Sequence, residues 1–364
     1  MEFLDTLAKH PALFIGSCTV LGLLIGSFLN VVIYRLPVMM DNAMRAECAE
    51  LAAADALGKD SVAAEAGTPE AAVVETATGV APPTPEAVMT APELGPEVPP
   101  EVVAPPADEP AAPASPEPAP PAPASRPAFN LVVPRSACPN CHAPITALQN
   151  VPVVSWLVLG GRCASCRTPI SARYPLVELL TGVASGLVAW RLGFGLTALA
   201  GLFFTWTLIA LTFIDLDTFL LPDSLTLPLT WMGLLLSLFE PVWAPGVAPL
   251  TPADSIVGAA VGYLSLWSFY WLFLLIRKRE GMGYGDFKLF AAFGAWFGWQ
   301  MLLPIILFAS LVGSLFGVWV LYRQHKGLDA HIPFGPYLAL AGWLFLMIGH
   351  DVVARWFAFA GTVG

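Results

Sequence analysis

A succession of long apolar segments is the feature that most constrains the fold of this 364-residue chain. A helix of about 20 apolar residues is long enough to cross the roughly 30 Å hydrocarbon core of a bilayer. Only 12% of the residues are charged, about half the share that is usual in a soluble domain. The sequence therefore predicts an all-α polytopic membrane protein. We expect about eight transmembrane helices, near residues 12–33, 175–192, 195–214, 225–240, 256–276, 287–301, 303–322 and 335–356.

The first apolar segment resembles a signal peptide in position, but we interpret it as a transmembrane helix. The residues before it are not basic, and the sequence after it (NVVIYR) is not a cleavage site. Lysine and arginine favour the cytoplasmic side of a membrane. With the N-terminus outside, only Lys9, Arg191 and Arg355 of the 17 basic residues lie on the outer side. This distribution predicts the orientation of every segment.

The predicted helices divide the chain into a first transmembrane helix (1–34), a cytoplasmic loop (35–174) and a seven-helix membrane domain (175–364). The net charge of −10 comes from the loop, because residues 41–125 hold 15 acidic residues against two basic ones. Residues 55–125 are rich in proline, alanine and glutamate. Such a composition buries too little apolar surface to offset its ordering entropy. We expect this insert to be disordered and to act as a solvated linker, or alternatively as an interaction tail.

The end of the loop carries a candidate metal site within residues 130–172. Four of the six cysteines form two C-x-x-C pairs separated by 21 residues: Cys138, Cys141, Cys163 and Cys166. Two such pairs supply the four thiolates of a tetrahedral zinc site. A disulfide or redox pair is the alternative, but the predicted cytosolic location disfavours it. A four-thiolate site has no open position, so we expect a structural zinc that holds together a loop without a core of its own. The other cysteines, Cys18 and Cys48, have no partner at a suitable spacing.

Two acidic residues are predicted at the cytoplasmic edge of the membrane. Asp215 ends the third predicted helix, and Asp286 lies within the glycine-rich stretch GMGYGDFK that precedes the sixth. Carboxylates at membrane depth are costly and usually functional. Two carboxylates a few ångströms apart share a proton, and such a pair activates water in aspartic proteolysis. Gly283 and Gly285 lack side chains and would let a substrate backbone approach the pair.

Two neighbouring acids have a simpler interpretation. Asp217 and Asp223 are predicted to solvate helix ends, and Asp223 is placed to cap a helix that begins at Ser224. An ion-coupled transporter also uses carboxylates within the membrane. It is therefore the rival of the protease interpretation for Asp215 and Asp286.

Several motifs together resemble the type IV prepilin peptidases of bacteria, which are membrane aspartyl proteases with a GxGD motif. The resemblance rests on GMGYGDFKLFAAFGAWFG (281–298) and DLDTFLLPDSLTLP (215–228). It continues through GSFLNVVIYRLP (26–37), the paired C-x-x-C loop, RYPLVELLTG (173–182) and PFGPYLA (333–339). The acidic insert is longer than this loop usually is in the family.

The resemblance implies that Asp215 and Asp286 are the two catalytic aspartates. It implies cleavage of the short basic leader of prepilins and pseudopilins after a glycine, on the cytoplasmic side of the bacterial inner membrane, with the N-terminus of the enzyme in the periplasm. It also implies N-methylation of the new terminal residue with S-adenosylmethionine. No glycine-rich nucleotide motif identifies the residues that bind this methyl donor. The resemblance assigns methylation to the cysteine loop, and the expected partners are these substrates and the lipid bilayer, with no nucleic acid.

Two other classes of function remain open at this stage. One is the ion-coupled transporter, and the other is a noncatalytic scaffold of a secretion or pilus complex that uses the cysteine loop for structure. Cleavage of a prepilin by the protein would separate the protease from both.

Overall fold

The computed structural model describes residues 2–65, 129–146, 148–239, 250–278, 282–324 and 333–362. These ranges contain no β-strand and only two isolated β-bridges, in agreement with the predicted all-α class. They form ten α-helices: α1 (Glu2–Lys9), α2 (Pro11–Glu65), α3 (Val154–Val158), α4 (Arg173–Leu192), α5 (Leu196–Thr218), α6 (Asp223–Leu236), α7 (Pro252–Arg277), α8 (Tyr284–Phe297), α9 (Leu302–Gln324) and α10 (Gly335–Thr362).

The chain divides into two compact units, one of which is the acidic part of the loop. The first unit consists of Met1–Glu47 and Ala128–Gly364, and the second of Cys48–Pro127. Residues 55–65, which the composition predicted to be disordered, are helical and form the end of α2. The remainder of the predicted insert, 66–125, lies outside the described residues.

Among the described residues, five helices are long and apolar enough to cross a membrane: the segments Pro11–Ala52, Arg173–Leu192, Leu196–Thr218, Pro252–Arg277 and Trp299–Val320. Each of the eight predicted spans corresponds to a helix, but the apolar segments of three of these helices are shorter than a full membrane span. The α6 and α8 helices have 14 residues each, or about 21 Å at the α-helical rise. In α10 the apolar stretch is Gly335–Ile348. The total of eight crossings therefore stays a prediction.

The short helix α8 lies in the middle of the core and packs against α6, α7 and α10. Large side chains on several of its faces are buried, among them Phe287, Phe293 and Trp296. Its contact with α7 is very close, because a Cβ atom on Gly258 would meet the backbone of Gly294 and one on Gly294 would meet Gly258. Small residues of this kind let membrane helices pack backbone to backbone. A helix enclosed in this way holds its first turn in a fixed position.

Glycines also hold α2 against α4. A Cβ atom on Gly22 would meet Ser185, and one on Gly26 would lie 2.7 Å from the Cα atom of Glu178. The side chains of Thr181 and Ser185 bond back to carbonyl oxygens one turn earlier in α4, at 2.7 Å each. These hydroxyl groups are thus satisfied without water, as hydrocarbon requires. The close packing carries Glu178 to a buried position at the start of α4.

Candidate active site and metal centre

The two predicted catalytic acids lie at helix ends that face each other. Asp215 is in the last turn of α5, and Asp286 is in the first turn of α8. The α5 helix stops at Phe219, which adopts a left-handed conformation (φ 56°) and donates its N–H to the carbonyl of Asp215 at 2.9 Å. Only four residues, 219–222, separate α5 from α6. Leu221 of this tight connection lies against Gly285, the residue before Asp286 in α8.

Both carboxyl groups are buried, with 5% of Asp215 and 7% of Asp286 exposed. They are near enough to interact electrostatically. The Oδ2 atom of Asp215 and the Oδ1 atom of Asp286 are buried without a hydrogen-bond partner among the described residues. Unpaired buried carboxyl oxygens are costly and rare in native proteins. This arrangement has the features of a reactive centre and not of an ion pair that stabilises the fold.

Two glycines and Leu221 form the wall of the acid pair. A Cβ atom on Gly335, the first residue of α10, would lie 2.5 Å from Oδ2 of Asp215 and 3.3 Å from Leu221. A Cβ atom on Gly285 would lie 2.6 Å from Cβ of Leu221. At these two positions only glycine allows α8 and α10 to approach the α5–α6 connection so closely. The starts of α8 and α10 therefore converge on Leu221 beside the acids.

The contact of Gly285 gives it a role within the protein that the sequence did not reveal. Its missing side chain makes room for Leu221, whereas the prediction assigned that space to a substrate. Around Gly283 the space is more open, since a Cβ atom there would be 3.8 Å from Oδ2 of Asp286. Approach of a substrate past these two glycines stays a prediction.

The two neighbouring acids are paired with basic side chains. Arg173 donates to both carboxylate oxygens of Asp217, at 2.7 and 2.6 Å, and its guanidinium group lies 5.2 Å from the ring centre of Phe213. Lys288 donates to both oxygens of Asp223, at 2.6 and 2.7 Å. Their charges are thus neutralised, unlike those of the central pair.

The predicted capping role of Asp223 is wrong. The α6 helix begins at Asp223 itself, Pro222 occupies the cap position, and no side chain bonds to the free backbone N–H groups there. Proline has no N–H and a fixed φ that suits the position before a helix. Asp223 is therefore free to pair with Lys288 of α8.

The four predicted metal ligands come together in one cluster. The Sγ atoms of Cys138, Cys141, Cys163 and Cys166 all lie within 4.8 Å of one another, and those of Cys138 and Cys166 are 3.7 Å apart. Thiolates at about 2.3 Å from a common tetrahedral zinc ion would be separated by roughly 3.8 Å. All four are free thiols and not disulfides. The donor set and its spacing fit a closed four-thiolate metal site.

The cluster is built from two copies of one small motif, a signal that the sequence analysis missed. Residues 137–144 (ACPNCHAP) and 162–169 (RCASCRTP) share the pattern x-C-x-x-C-x-x-P. In both copies the residue after the second cysteine has a positive φ, 55° at His142 and 60° at Arg167. Each copy closes with an isolated bridge between its first and last residues. The repeat explains why the four thiols converge in pairs.

Gly335 and Glu178 were also missed as individual residues. Both belong to motifs on which the family resemblance rests, PFGPYLA and RYPLVELLTG. Their positions in the sequence did not indicate which residues they contact. Glu178 is buried and accepts a hydrogen bond of 2.7 Å from the backbone N–H of Val153. This bond joins α4 to the cysteine loop.

Comparisons with known proteins cover nearly the whole chain. The profile "Bacterial Peptidase A24 N-terminal domain" matches residues 20–192, and the profile "Type IV leader peptidase family" matches residues 202–318. A prepilin leader peptidase/N-methyltransferase of Aeromonas salmonicida (strain A449) is 43% identical over 95% of this chain and 94% of its own length. The proteins of the same name from Pseudomonas aeruginosa and Neisseria gonorrhoeae are 42% and 40% identical, over 99% and 92% of this chain and 99% and 90% of theirs.

No solved structure matches the chain significantly. The two profile matches together cover most of the chain, and the relatives are similar to it over nearly their full length. The chain belongs to the type IV leader peptidase family.

Proposed function

We propose that this protein cleaves the leader peptides of prepilins and pseudopilins and N-methylates the residue that cleavage exposes. The names of its full-length relatives support both activities. The observation that carries the proteolytic part is the buried pair of Asp215 and Asp286, each with one unpaired oxygen. An assay with a purified prepilin and the detergent-solubilised protein tests it directly. Release of the leader supports the proposal, and an intact prepilin argues against it.

The chemistry assigned to the pair needs no other cofactor. The two carboxyl groups share one proton, because close like charges do not both ionise. The ionised group takes a proton from a water molecule, which attacks the scissile carbonyl carbon, while the protonated group donates its proton to the carbonyl oxygen. As the tetrahedral intermediate breaks down, the first carboxyl group gives the proton it took from water to the leaving amine, and the second regains a proton from a hydroxyl of the intermediate, which restores the starting state of the pair. The leader leaves as a free acid and the mature protein as a free amine.

The position of the pair suits a substrate that arrives from the membrane. Both acids lie at helix ends, where an apolar substrate helix in the bilayer would present its leader junction. The distribution of basic residues favours the cytoplasmic side of the inner membrane for this edge and a periplasmic N-terminus. Gly283 is assigned to the entry path of the scissile backbone, since a Cβ atom there would meet only Oδ2 of Asp286, at 3.8 Å. The space beside Gly285 is occupied by Leu221, so Gly285 borders this path and does not open it.

The alternatives of an ion-coupled transporter and a noncatalytic scaffold lack a comparable observation. A transporter would use its carboxylates to bind ions and would not cleave a peptide bond. The same prepilin assay therefore separates the three functions.

We assign zinc to the four-cysteine cluster and S-adenosylmethionine to the methyl transfer. Cys138, Cys141, Cys163 and Cys166 would hold the ion, and a closed four-thiolate site would stabilise the loop without taking part in chemistry. The fit rests on the thiol spacing. S-adenosylmethionine supplies the methyl group, and we place its transfer at the cysteine loop without assigning residues to the donor.

Replacing any one of the four clustered cysteines by serine is expected to abolish zinc binding, because three thiolates leave the tetrahedral site open. Metal analysis of protein purified without chelators should give about one zinc per chain for the wild type and a large loss in the variants. We expect N-methylation to fall more than leader cleavage. Cys48→Ser is the matched control, since Cys48 is exposed and lies outside the cluster. Wild-type protein without zinc would contradict the assignment.

Deleting residues 66–122 is expected to leave membrane insertion and leader cleavage nearly unchanged. The composition of this segment predicts no core, and loop length costs only about 0.6 kcal/mol per doubling. The measurement is the cleavage rate of the deletion variant at matched expression. Loss of cleavage in a well-expressed variant would show that the acidic segment takes part in the reaction.

A further inference from the structure

The short helix α3 in the cysteine loop exposes most of its apolar side chains. Val154, Leu157 and Val158 are 55%, 64% and 80% exposed, and none of the five residues of the helix is buried. Large apolar side chains that cluster on a surface mark an interaction site. The identity of the partner follows from where this helix is held.

A hydrogen bond to α4 sets the position of α3 along the membrane normal. The N–H of Val153, the residue before α3, donates to Oε2 of Glu178 at 2.7 Å. Glu178 is the sixth residue of α4, which is a candidate membrane span, so its Cα atom lies about 8 Å along the axis from the first residue. Its α4 neighbours Leu176, Leu179 and Leu180 are exposed apolar residues of that span. The start of α3 therefore lies level with the second turn of a candidate membrane span, at the depth of these exposed leucines.

The backbone at this bond is strained. Val153 has φ 58° and ψ −48°, and the N–H of Val154 bonds to the carbonyl of Pro152 across it. This is the γ-turn of positive φ, which is rare and costly, above all for a β-branched residue. Strain of this kind persists only where surrounding contacts enforce it. This strained residue donates its N–H to the buried carboxylate of Glu178.

Further contacts connect α3 to the cysteine cluster. The indole N–H of Trp156 donates to the carbonyl of Ile170 at 3.2 Å. A Cβ atom on Gly161 would lie 2.9 Å from the Trp156 ring, and the N–H of Ile170 bonds to the carbonyl of Gly161 at 2.7 Å. Gly161 and Ile170 flank the second C-x-x-C motif. A change in the depth of α3 would therefore move Cys163 and the rest of the cluster.

We propose that α3 is a membrane anchor, whose exposed apolar side chains enter the lipid at the headgroup boundary, and that the Glu178–Val153 bond holds it there and so fixes the cysteine cluster at the bilayer surface. Lipid is the partner because α3 starts at the depth of a membrane span, and apolar side chains at that depth are covered by acyl chains. The anchor does not depend on which reaction the cysteine loop supports.

Photocrosslinking in native membranes tests this anchor. A benzophenone amino acid is placed at Leu157, or at the exposed polar residue Ser165 in the second cysteine motif as the matched control. Irradiation should yield phospholipid adducts, detected by mass spectrometry, several-fold more at position 157 than at 165. Equal yields at the two positions, or no adduct at 157, would overturn the proposal.

The role of the carboxylate is tested in the same assay. Glu178→Ala should reduce the adduct at position 157 several-fold, whereas Glu178→Gln keeps an acceptor for the N–H of Val153 and should retain it. Val153→Gly combined with Glu178→Ala should restore the adduct, because glycine adopts a positive φ without strain. An adduct at 157 that is the same in Glu178→Ala as in the wild type would show that this bond does not hold α3. Retained zinc and leader cleavage verify that each variant is folded.

Discussion

Asp215→Asn and Asp286→Asn are each expected to abolish leader cleavage while the protein still inserts and folds. Asparagine has nearly the same shape as aspartate, but it neither takes a proton from water nor donates one to the scissile carbonyl. General acid–base catalysis of this kind contributes roughly 100- to 10,000-fold to a rate. Both residues are buried, and their unpaired oxygens form no bond that holds helices together. The fold should therefore survive the loss of either charge. The size shift of a prepilin on a gel measures the remaining cleavage.

The neighbouring acids provide the control for this result. Asp217→Asn and Asp223→Asn remove a carboxylate only a few residues from the pair, but these carboxylates bind Arg173 and Lys288 at the surface. Exposed ion pairs contribute little to stability. We expect these two variants to retain most of the cleavage rate. Substantial processing by either Asp215→Asn or Asp286→Asn would refute the assignment of the catalytic pair.

The sequence identified the acids for a reason that holds without a structure. A carboxylate at the end of a long apolar segment is costly, and the cost itself points to Asp215 and Asp286. This argument does not separate Asp215 from Asp217, and the family resemblance made that choice. Asp217 and Asp223 were interpreted as acids at helix ends, and in the structure both form ion pairs. The sequence did not reveal their partners, because Arg173 and Lys288 belong to α4 and α8, which only the folded chain brings close.

The cluster of four cysteines was predictable for a different reason. A structural zinc site takes four donors, often thiolates in closely spaced pairs, and two C-x-x-C pairs are recognisable in the sequence itself. The depth at which the cysteine loop is held was not predictable. It depends on one hydrogen bond between Val153 and Glu178, residues that are 25 positions apart, and on a backbone angle that no valine would be expected to adopt.

Apolar composition alone does not say whether a helix crosses the membrane or is only enclosed by protein. Residues 287–301 read as a membrane span because nearly every side chain is apolar. In the structure α8 has only 14 residues, and its apolar side chains are packed against neighbouring helices. A buried helix and a membrane-crossing helix share this pattern, and only length distinguishes them. The glycine contacts between α7 and α8 were likewise invisible, since a glycine that permits close packing resembles one that permits a turn.

The contact of Gly335 with Asp215 is seen only in the structure, and it leads to a second prediction with a large expected effect. Gly335→Ala places a Cβ atom 2.5 Å from Oδ2 of Asp215, a separation too short for any two such atoms. Either the carboxyl group rotates away from Asp286 or α10 moves outward at its first turn. Misplacement of a catalytic group by about 1 Å lowers a rate on the order of 100-fold.

We therefore expect the turnover number of Gly335→Ala to fall by about two orders of magnitude, with a much smaller change in KM, because the substrate still reaches the site. The matched control is Gly16→Ala in α2, where a Cβ atom would meet nothing within 4 Å, and it should cleave at the wild-type rate. Steady-state kinetics of leader cleavage on both variants make the comparison, with insertion measured by membrane fractionation. A fully active Gly335→Ala enzyme would mean that Asp215 does not need the position it has in this structure. The acid pair would then be assembled by the substrate and not held ready by α5, α8 and α10.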